Sequence, residues 1–120
     1  MGNFMDISKA EHEVMEKLWD QEDSIKQAQL LALFEADGKE WKRQTLNTFL
    51  SRLEEKGLVE RKNRMVKAVY TREEYNYRQM KAAIDHMYEG RLSKFMAAFV
   101  KKNTINESEA KEVIRILEDS

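Results

Sequence analysis

Residues 42–52 combine short hydrogen-bonding side chains with cationic ones along one predicted helix. Four apolar residues fall on one side of this helix and are expected to be buried: Leu46, Phe49, Leu50 and Leu53. The outer side carries Gln44, Thr48 and Ser51, with Asn47 on one flank and Thr45 and Arg52 on the other. Thr, Asn and Ser form helices poorly, so a solvated surface explains them badly. Side-chain amides can pair with adenine, and a Thr methyl can contact the thymine methyl. The chemistry available here is therefore hydrogen bonding to base edges.

Cations stand at both ends of this polar face. Lys42 and Arg43 lie at the start of the helix, where side-chain charge and helix dipole both favour a phosphate group. Lys62, Arg64 and Lys67 surround a predicted hairpin tip, a second place to hold a phosphate backbone. One such residue alone would be an ordinary surface residue. The whole set, placed between two basic ends, favours nucleic-acid binding.

The charge of the chain is unevenly distributed, although its net charge is only −1. Residues 1–41 carry four basic and ten acidic groups, whereas residues 42–72 carry nine basic and three acidic groups. Residues 73–120 are nearly balanced, with eight basic and nine acidic groups. A basic segment beside acidic ones is typical of nucleic-acid binding, although a solvated charged surface would also produce it.

Three predicted helices and a hairpin position these side chains. Ser8 and Glu11 predict a capping box that opens a helix ending near Asp20. Ser24 and Gln27 predict a second capping box, and Gly38 ends that helix. The third helix runs from about Lys42 to Lys56, with Gly57 as a left-handed C-cap. The segments "LVERK" and "KAVYT" then predict a hairpin that turns near Asn63. This order predicts a winged helix-turn-helix over residues 1–72, whose third helix would enter the major groove.

Residues 73–120 predict three short amphipathic helices, opened by capping pairs at Thr71 with Glu74 and at Asn106 with Glu109. A fragment of this size cannot bury enough apolar surface alone. Pairing with a second copy is the favoured interpretation, since exposed apolar patches usually mark interfaces; ordinary packing within the chain is the alternative. The residues predicted to form this interface are Met80, Ile84, Met87, Leu92, Phe95, Met96, Phe99, Ile114 and Leu117. The predicted fold is therefore mostly α with a small β-hairpin: a winged domain followed by a helical dimerisation domain.

The composition argues against several other classes of protein. The chain has no cysteine, which excludes disulfides, thiolate metal sites and a cysteine nucleophile. We expect a cytoplasmic protein that does not insert into a membrane, because neither a secretory signal nor a long apolar run is apparent. With two histidines and no glycine-rich phosphate loop, an enzyme or a cofactor is not expected. Asp85, His86 and Glu89 could ligate a metal, but surface residues are the favoured interpretation.

The motifs of the first and third helices resemble the BlaI/MecI penicillinase-repressor family of winged-helix regulators. The segment "EWKRQTLNTFLSRLEEKGLVERK" matches the family pattern at Trp41, Thr45, Thr48, Arg52, Leu53, Lys56 and Gly57. The segment "ISKAEHEVMEKLWD" matches its first helix, and the resemblance continues through the C-terminal helices. It implies DNA contacts from Arg43, Gln44, Thr45, Asn47, Thr48 and Arg52. Gln44 stands where family members commonly have Lys.

The resemblance also implies a function. It implies a homodimeric transcriptional repressor that binds palindromic operators, with TACA/TGTA as the natural half-site. Such repressors are relieved when a membrane sensor-protease system causes cleavage in the dimerisation region. The corresponding place here is Ala98-Phe99 in "MAAFVKKN", where Ala98 replaces the Asn of the family pattern, so a different signal stays open. A winged helix that binds proteins without sequence-specific DNA binding is the alternative function.

Overall fold

The computed structural model describes residues 7–120, and this part of the chain contains six helices and three short strands. Their bounds are α1 Lys9–Trp19, β1 Ile25–Lys26, α2 Gln27–Ala36, α3 Arg43–Glu55, β2 Val59–Lys62, β3 Met65–Ala68, α4 Arg72–Met87, α5 Leu92–Lys102 and α6 Glu107–Glu118. The chain forms two compact units, one ending at Ala82 and one spanning Ala83–Ser120. The mostly helical fold with a small wing is confirmed. The assignment of DNA binding to residues 1–72 and of dimerisation to residues 73–120 stays a prediction.

Side-chain caps define the starts of α1 and α4 as the sequence predicts. The Ser8 hydroxyl accepts from the Glu11 N–H at 3.1 Å, and the Glu11 carboxylate accepts from the Ser8 N–H at 2.9 Å. Thr71 and Glu74 repeat this reciprocal pair at 3.1 and 2.9 Å. Each pair satisfies two backbone N–H groups that have no partner within the helix.

The capping box predicted at Ser24 and Gln27 is wrong. Lys26 is the N-cap of α2 and makes no side-chain hydrogen bond there. Ile25 and Lys26 instead form β1, where Ile25 pairs with Val66 and Lys26 with Met65 of β3. The buried side chain of Ile25 fixes this register, so the backbone before α2 is used by the sheet rather than by a cap.

The third helix packs its apolar face into the core of the first unit. Leu46, Leu50 and Leu53 are completely buried, and Phe49 packs against the same core while remaining partly exposed. Gly57 follows the helix with φ of +77°, the left-handed geometry that a non-glycine residue adopts only with strain. The predicted apolar face and the predicted end of this helix are both confirmed.

The sheet has the order β1-β3-β2 and is antiparallel throughout. Lys62 pairs with Met65, so the wing is a hairpin with a two-residue turn at Asn63 and Arg64. Their φ values are +55° and +65°, as the tightest hairpin turns require. Asn tolerates this region well, whereas Arg adopts it rarely.

The start of α4 is fastened to α1 through Trp19. The Trp19 indole N–H donates to the backbone oxygen of Tyr70 at 3.0 Å, and its ring lies 5.2 Å from the ring of Tyr75. The Arg72 guanidinium lies 5.4 Å from the centre of the same indole and donates to Glu16 at 2.8 Å. The first turn of α4 therefore belongs to the core of the winged unit.

In the second unit, α5 and α6 are regular helices without a single buried residue. The Asn106 side chain caps α6 by accepting from the Glu109 N–H at 2.8 Å, as predicted. Large apolar side chains are nevertheless left exposed: Met87, Leu92, Phe99, Val100, Ile114, Ile116 and Leu117. Within the part of the chain that the structure describes, the apolar faces of these helices stay uncovered in one copy.

A partly buried ion pair joins the start of α1 to the end of α3. Glu11 is only 2% exposed, and its carboxylate accepts from the Lys56 ammonium at 2.9 Å. Burial alone would raise the pKa of Glu11. The hydrogen bonds from Lys56 and Ser8 and the charges of Lys56 and Arg52 outweigh burial, so the pKa lies below its ordinary value of 4.5.

Glu11→Gln is expected to lower the free energy of unfolding near neutral pH by about 1–3 kcal/mol, because glutamine can keep the cap but not the charge. A carboxylate whose pKa is lowered by folding stabilises the protein above its unfolded pKa, and this contribution is lost as the pH falls through the folded pKa. The difference between the two proteins should therefore shrink below pH 4.5. Urea titrations near neutral pH and in acid measure it.

Glu107→Gln serves as the control, because Glu107 pairs with Lys111 on an exposed surface where ion pairs contribute little. Its effect on unfolding should be much smaller. An equal loss for Glu11→Gln in neutral and acid solution would contradict an ionic contribution from Glu11.

Candidate nucleic-acid interface

The outer face of α3 presents polar side chains to solvent. Gln44, Asn47 and Thr48 are exposed, whereas Thr45 and Ser51 are half-buried. The Thr48 hydroxyl donates to the backbone oxygen of Gln44 at 3.0 Å, which leaves its methyl group and oxygen lone pairs available. Because the opposite face of α3 is locked in the core, these side chains project from a rigid support.

The start of α3 is cationic and lacks a side-chain cap. Lys42 is the N-cap and makes no capping hydrogen bond, and the first turn contains no acidic residue. Lys42 and Arg43 are both exposed. The positive end of the helix dipole and the charges of these two side chains therefore act together, and both would attract an anion such as a phosphate group.

The wing carries a second set of cations, and one of them, Arg64, lies beside the start of α3. Lys62, Arg64 and Lys67 are exposed on the hairpin, and the backbone oxygen of Arg64 accepts from the Gln27 N–H at 3.0 Å. Arg43 and Arg64 line one cleft of about 620 Å³ together with Lys26. The cleft thus brings Arg43 of the helix entrance and Arg64 of the wing together, whereas Lys42, Lys62 and Lys67 do not line it.

The five cations predicted to bind phosphate differ from many other cations of the chain in their ion pairing. Lys17, Lys39, Lys56 and Lys94 all pair with carboxylates. Within residues 7–120, no acidic side chain holds the predicted phosphate-binding cations: Lys42, Arg43, Lys62, Arg64 and Lys67. Their charges are available to an external anion.

Arg52 occupies a different place from the other predicted contacts. It is exposed near the C-terminal end of α3, and its charge helps to lower the pKa of Glu11 in α1. Arg52 therefore lies towards the α1 side of the helix. Its contact with DNA stays a prediction, as do the contacts of the other residues.

Arg61 is a residue of this surface that the sequence analysis missed. It lies on β2 and donates to the side chains of Asn47, Ser51 and Glu54 on α3. A signal was available, because strand residues alternate between faces and Arg61 stands two positions after the buried Val59. A charged residue on the inner face of a strand should have suggested a partner on the neighbouring helix.

Other kinds of site have little support in the described residues. Residues 7–120 contain no group of three or more histidines and carboxylates placed to hold a metal ion. No helix in that part of the chain is long and apolar enough to cross a membrane. Three helices are followed by a hairpin wing, and the outer face of the third helix is exposed. This arrangement defines a winged helix-turn-helix, a class of DNA-binding proteins.

Comparison with known proteins agrees with this class and narrows it. The family model described as penicillinase repressor matches residues 7–119. Methicillin resistance regulatory protein MecI of Staphylococcus aureus (strain N315) is 27% identical over 121 residues, covering 93% of each chain. The MecI proteins of Staphylococcus epidermidis and Mammaliicoccus sciuri are 27% and 26% identical over the same length.

The chain therefore belongs to the penicillinase repressor family, as the resemblance of its helix motifs implies. It is a transcriptional repressor, a class of protein that is not enzymatic.

Proposed function

We propose that this repressor acts in the cytoplasm as a homodimer on palindromic operators, with α3 of each copy in the major groove. The observation that carries the proposal is the exposed polar face of α3 between two groups of cations that pair with no acidic side chain within residues 7–120. A helix of this kind reads base edges, and the flanking cations hold the phosphate backbone.

Base reading is proposed for the middle of the helix. Gln44 and Asn47 offer amide groups and Thr48 a hydroxyl and a methyl group, which suit the major-groove edges of adenine and thymine. Thr45 and Arg52 complete the proposed contacts to the duplex at the flank of α3. The TACA/TGTA type of half-site follows from the family resemblance and is the operator to test first.

Dimerisation through the C-terminal helices α4, α5 and α6 would explain their uncovered apolar side chains. Met80, Met87, Leu92, Phe99, Ile114 and Leu117 are exposed, and Ile84, Phe95 and Met96 are half-buried. A two-fold pair would cover such surfaces and place two α3 helices on half-sites about 34 Å, or a multiple, apart. Two half-sites also supply the affinity that one short helix lacks.

Repression would end when the pair is lost. The proposed cleavage site, Ala98-Phe99, lies inside α5, where Phe99 is 44% exposed and Ala98 half-buried. Cleavage there by a membrane sensor-protease system would separate α6 from the rest of the chain. Another signal that disrupts α5 or α6 would act in the same way.

Two substitutions separate base reading from phosphate contact. Thr48→Ala is expected to reduce the preference for a palindromic TACA/TGTA duplex over a scrambled duplex by about 1–3 kcal/mol. Lys62→Ala should weaken binding to both duplexes alike and reduce the salt dependence, because it removes a phosphate contact. Fluorescence titrations with both duplexes at two salt concentrations measure the two effects.

If Thr48→Ala left the preference unchanged, the assigned reading face would be wrong. Equal binding of the unaltered protein to both duplexes would instead favour the alternative function, a winged helix that recognises proteins.

A further inference from the structure

The guanidinium of Arg61 bridges three turns of α3 along its wing-side flank, formed by Asn47, Ser51 and Glu54. Its Nη1 donates to Asn47 Oδ1 at 2.7 Å, and its Nη2 donates to Ser51 Oγ and Glu54 Oε1, both at 2.9 Å. Nε donates to the same Glu54 oxygen at 3.2 Å. The side chain is 22% exposed, so it lies beneath the polar surface rather than on it.

This contact determines which edge of the Asn47 amide faces outward. A guanidinium can only donate, so the oxygen of Asn47 must face Arg61 and its NH₂ group must point away. An exposed asparagine without such a partner would change rotamer and turn over its amide. The Glu54 carboxylate accepts from the opposite side of the guanidinium, which keeps the Arg61 side chain in place and neutralises the charge of Arg61.

We infer that Arg61 is a positioning residue that fixes Asn47 as a hydrogen-bond donor towards the duplex. The inference rests on the proposed function and deepens it. Asn47 then donates to an acceptor on a base edge, such as thymine O4 or adenine N7, instead of pairing through both edges of its amide with adenine. Arg61 determines specificity without touching a base.

Arg61→Lys tests this role, because lysine keeps the charge but cannot bridge Asn47, Ser51 and Glu54 in a fixed geometry. The readout is the ratio of affinities for duplexes that differ at one base pair in each half-site. Arg61→Lys is expected to lower the ratio about tenfold at the same base pair as Asn47→Ala, with an unchanged salt dependence. The doubly substituted protein should lose no more than either single variant.

Lys62→Ala is the matched control, because Lys62 is the next residue on β2 and points to the other face. It should lower the affinity for all duplexes and leave the ratios intact. Asn47→Asp is a second variant, which keeps the acceptor for Arg61 but lacks the outward donor. It should unfold like the unaltered protein and lose discrimination at the same base pair.

A readout without DNA completes the test. The side-chain amide signals of Asn47 in a ¹⁵N-correlated spectrum should shift in Arg61→Lys and remain in place in Lys62→Ala. Unchanged discrimination in Arg61→Lys, or losses in Arg61→Lys and Asn47→Ala that multiply, would overturn the inference. Absence of any sequence preference in the unaltered protein would be a distinct result, which overturns the proposed function itself.

Discussion

Ile114→Glu is expected to convert the protein from a dimer to a monomer and to weaken operator binding by at least about 100-fold. Ile114 lies on the apolar face of α6 and is 53% exposed in one copy. In the proposed dimer its side chain would be covered, and an unpaired carboxylate there would cost several kcal/mol. Once the copies separate, the second α3 helix is no longer held close to the second half-site. The gain in affinity that linkage provides, a factor of about 10²–10⁴, is then lost.

Sedimentation equilibrium and operator titration measure the two consequences in the same samples. Ser108→Glu is the matched control, because it adds the same charge to an exposed residue on the opposite face of α6. It should leave both association and affinity unchanged. An intact dimer in Ile114→Glu would refute the proposed interface.

Trp41→Ala is expected to lower the free energy of unfolding by roughly 3 kcal/mol, the largest effect on stability among these predictions. The Trp41 ring lies 4.6 Å from that of Phe34 in α2 and 5.1 Å from that of Phe49 in α3, measured between ring centres. Truncation would remove the aromatic contacts on both sides and leave a cavity at the start of α3. Operator affinity should fall as well, because the contacts of Trp41 with Phe34 and Phe49 hold the start of α3 in position against α2.

Urea unfolding measures this effect, with Tyr77→Ala as the control. Tyr77 is 64% exposed, so its truncation should change the free energy of unfolding by less than about 0.5 kcal/mol. Trp41→Phe should retain a substantial part of the packing. A cost below about 1 kcal/mol for Trp41→Ala would show that Phe34 and Phe49 close over the gap.

Much of the winged unit was predictable because its signals are local. The helix starts at Ser8 and Thr71 depend on pairs three residues apart, and the buried face of α3 depends on helical spacing. By contrast, β1 has only two residues and exists through its pairing with β3. Two residues cannot show a period, so Ile25 and Lys26 looked like part of a capping segment.

The candidate site was only partly predictable for the same reason. Exposure of Gln44, Asn47 and Thr48 follows from their spacing on α3. The bond between Arg61 and Asn47 joins residues 14 positions apart and depends on how β2 packs against the helix. A pattern within one element identifies which side chains face outward, but not which neighbouring element restrains them.

Stability and anion binding place opposite demands on Arg64 in the turn of the wing. Arg64 adopts a φ of +65°, which costs a non-glycine residue about 1–2 kcal/mol. Glycine would relax the backbone there but would remove a cation from the cleft that Arg64 shares with Arg43. Backbone stability therefore favours glycine at position 64, whereas binding of an anion favours arginine. Selection for heat resistance alone would favour glycine, which weakens the repressor.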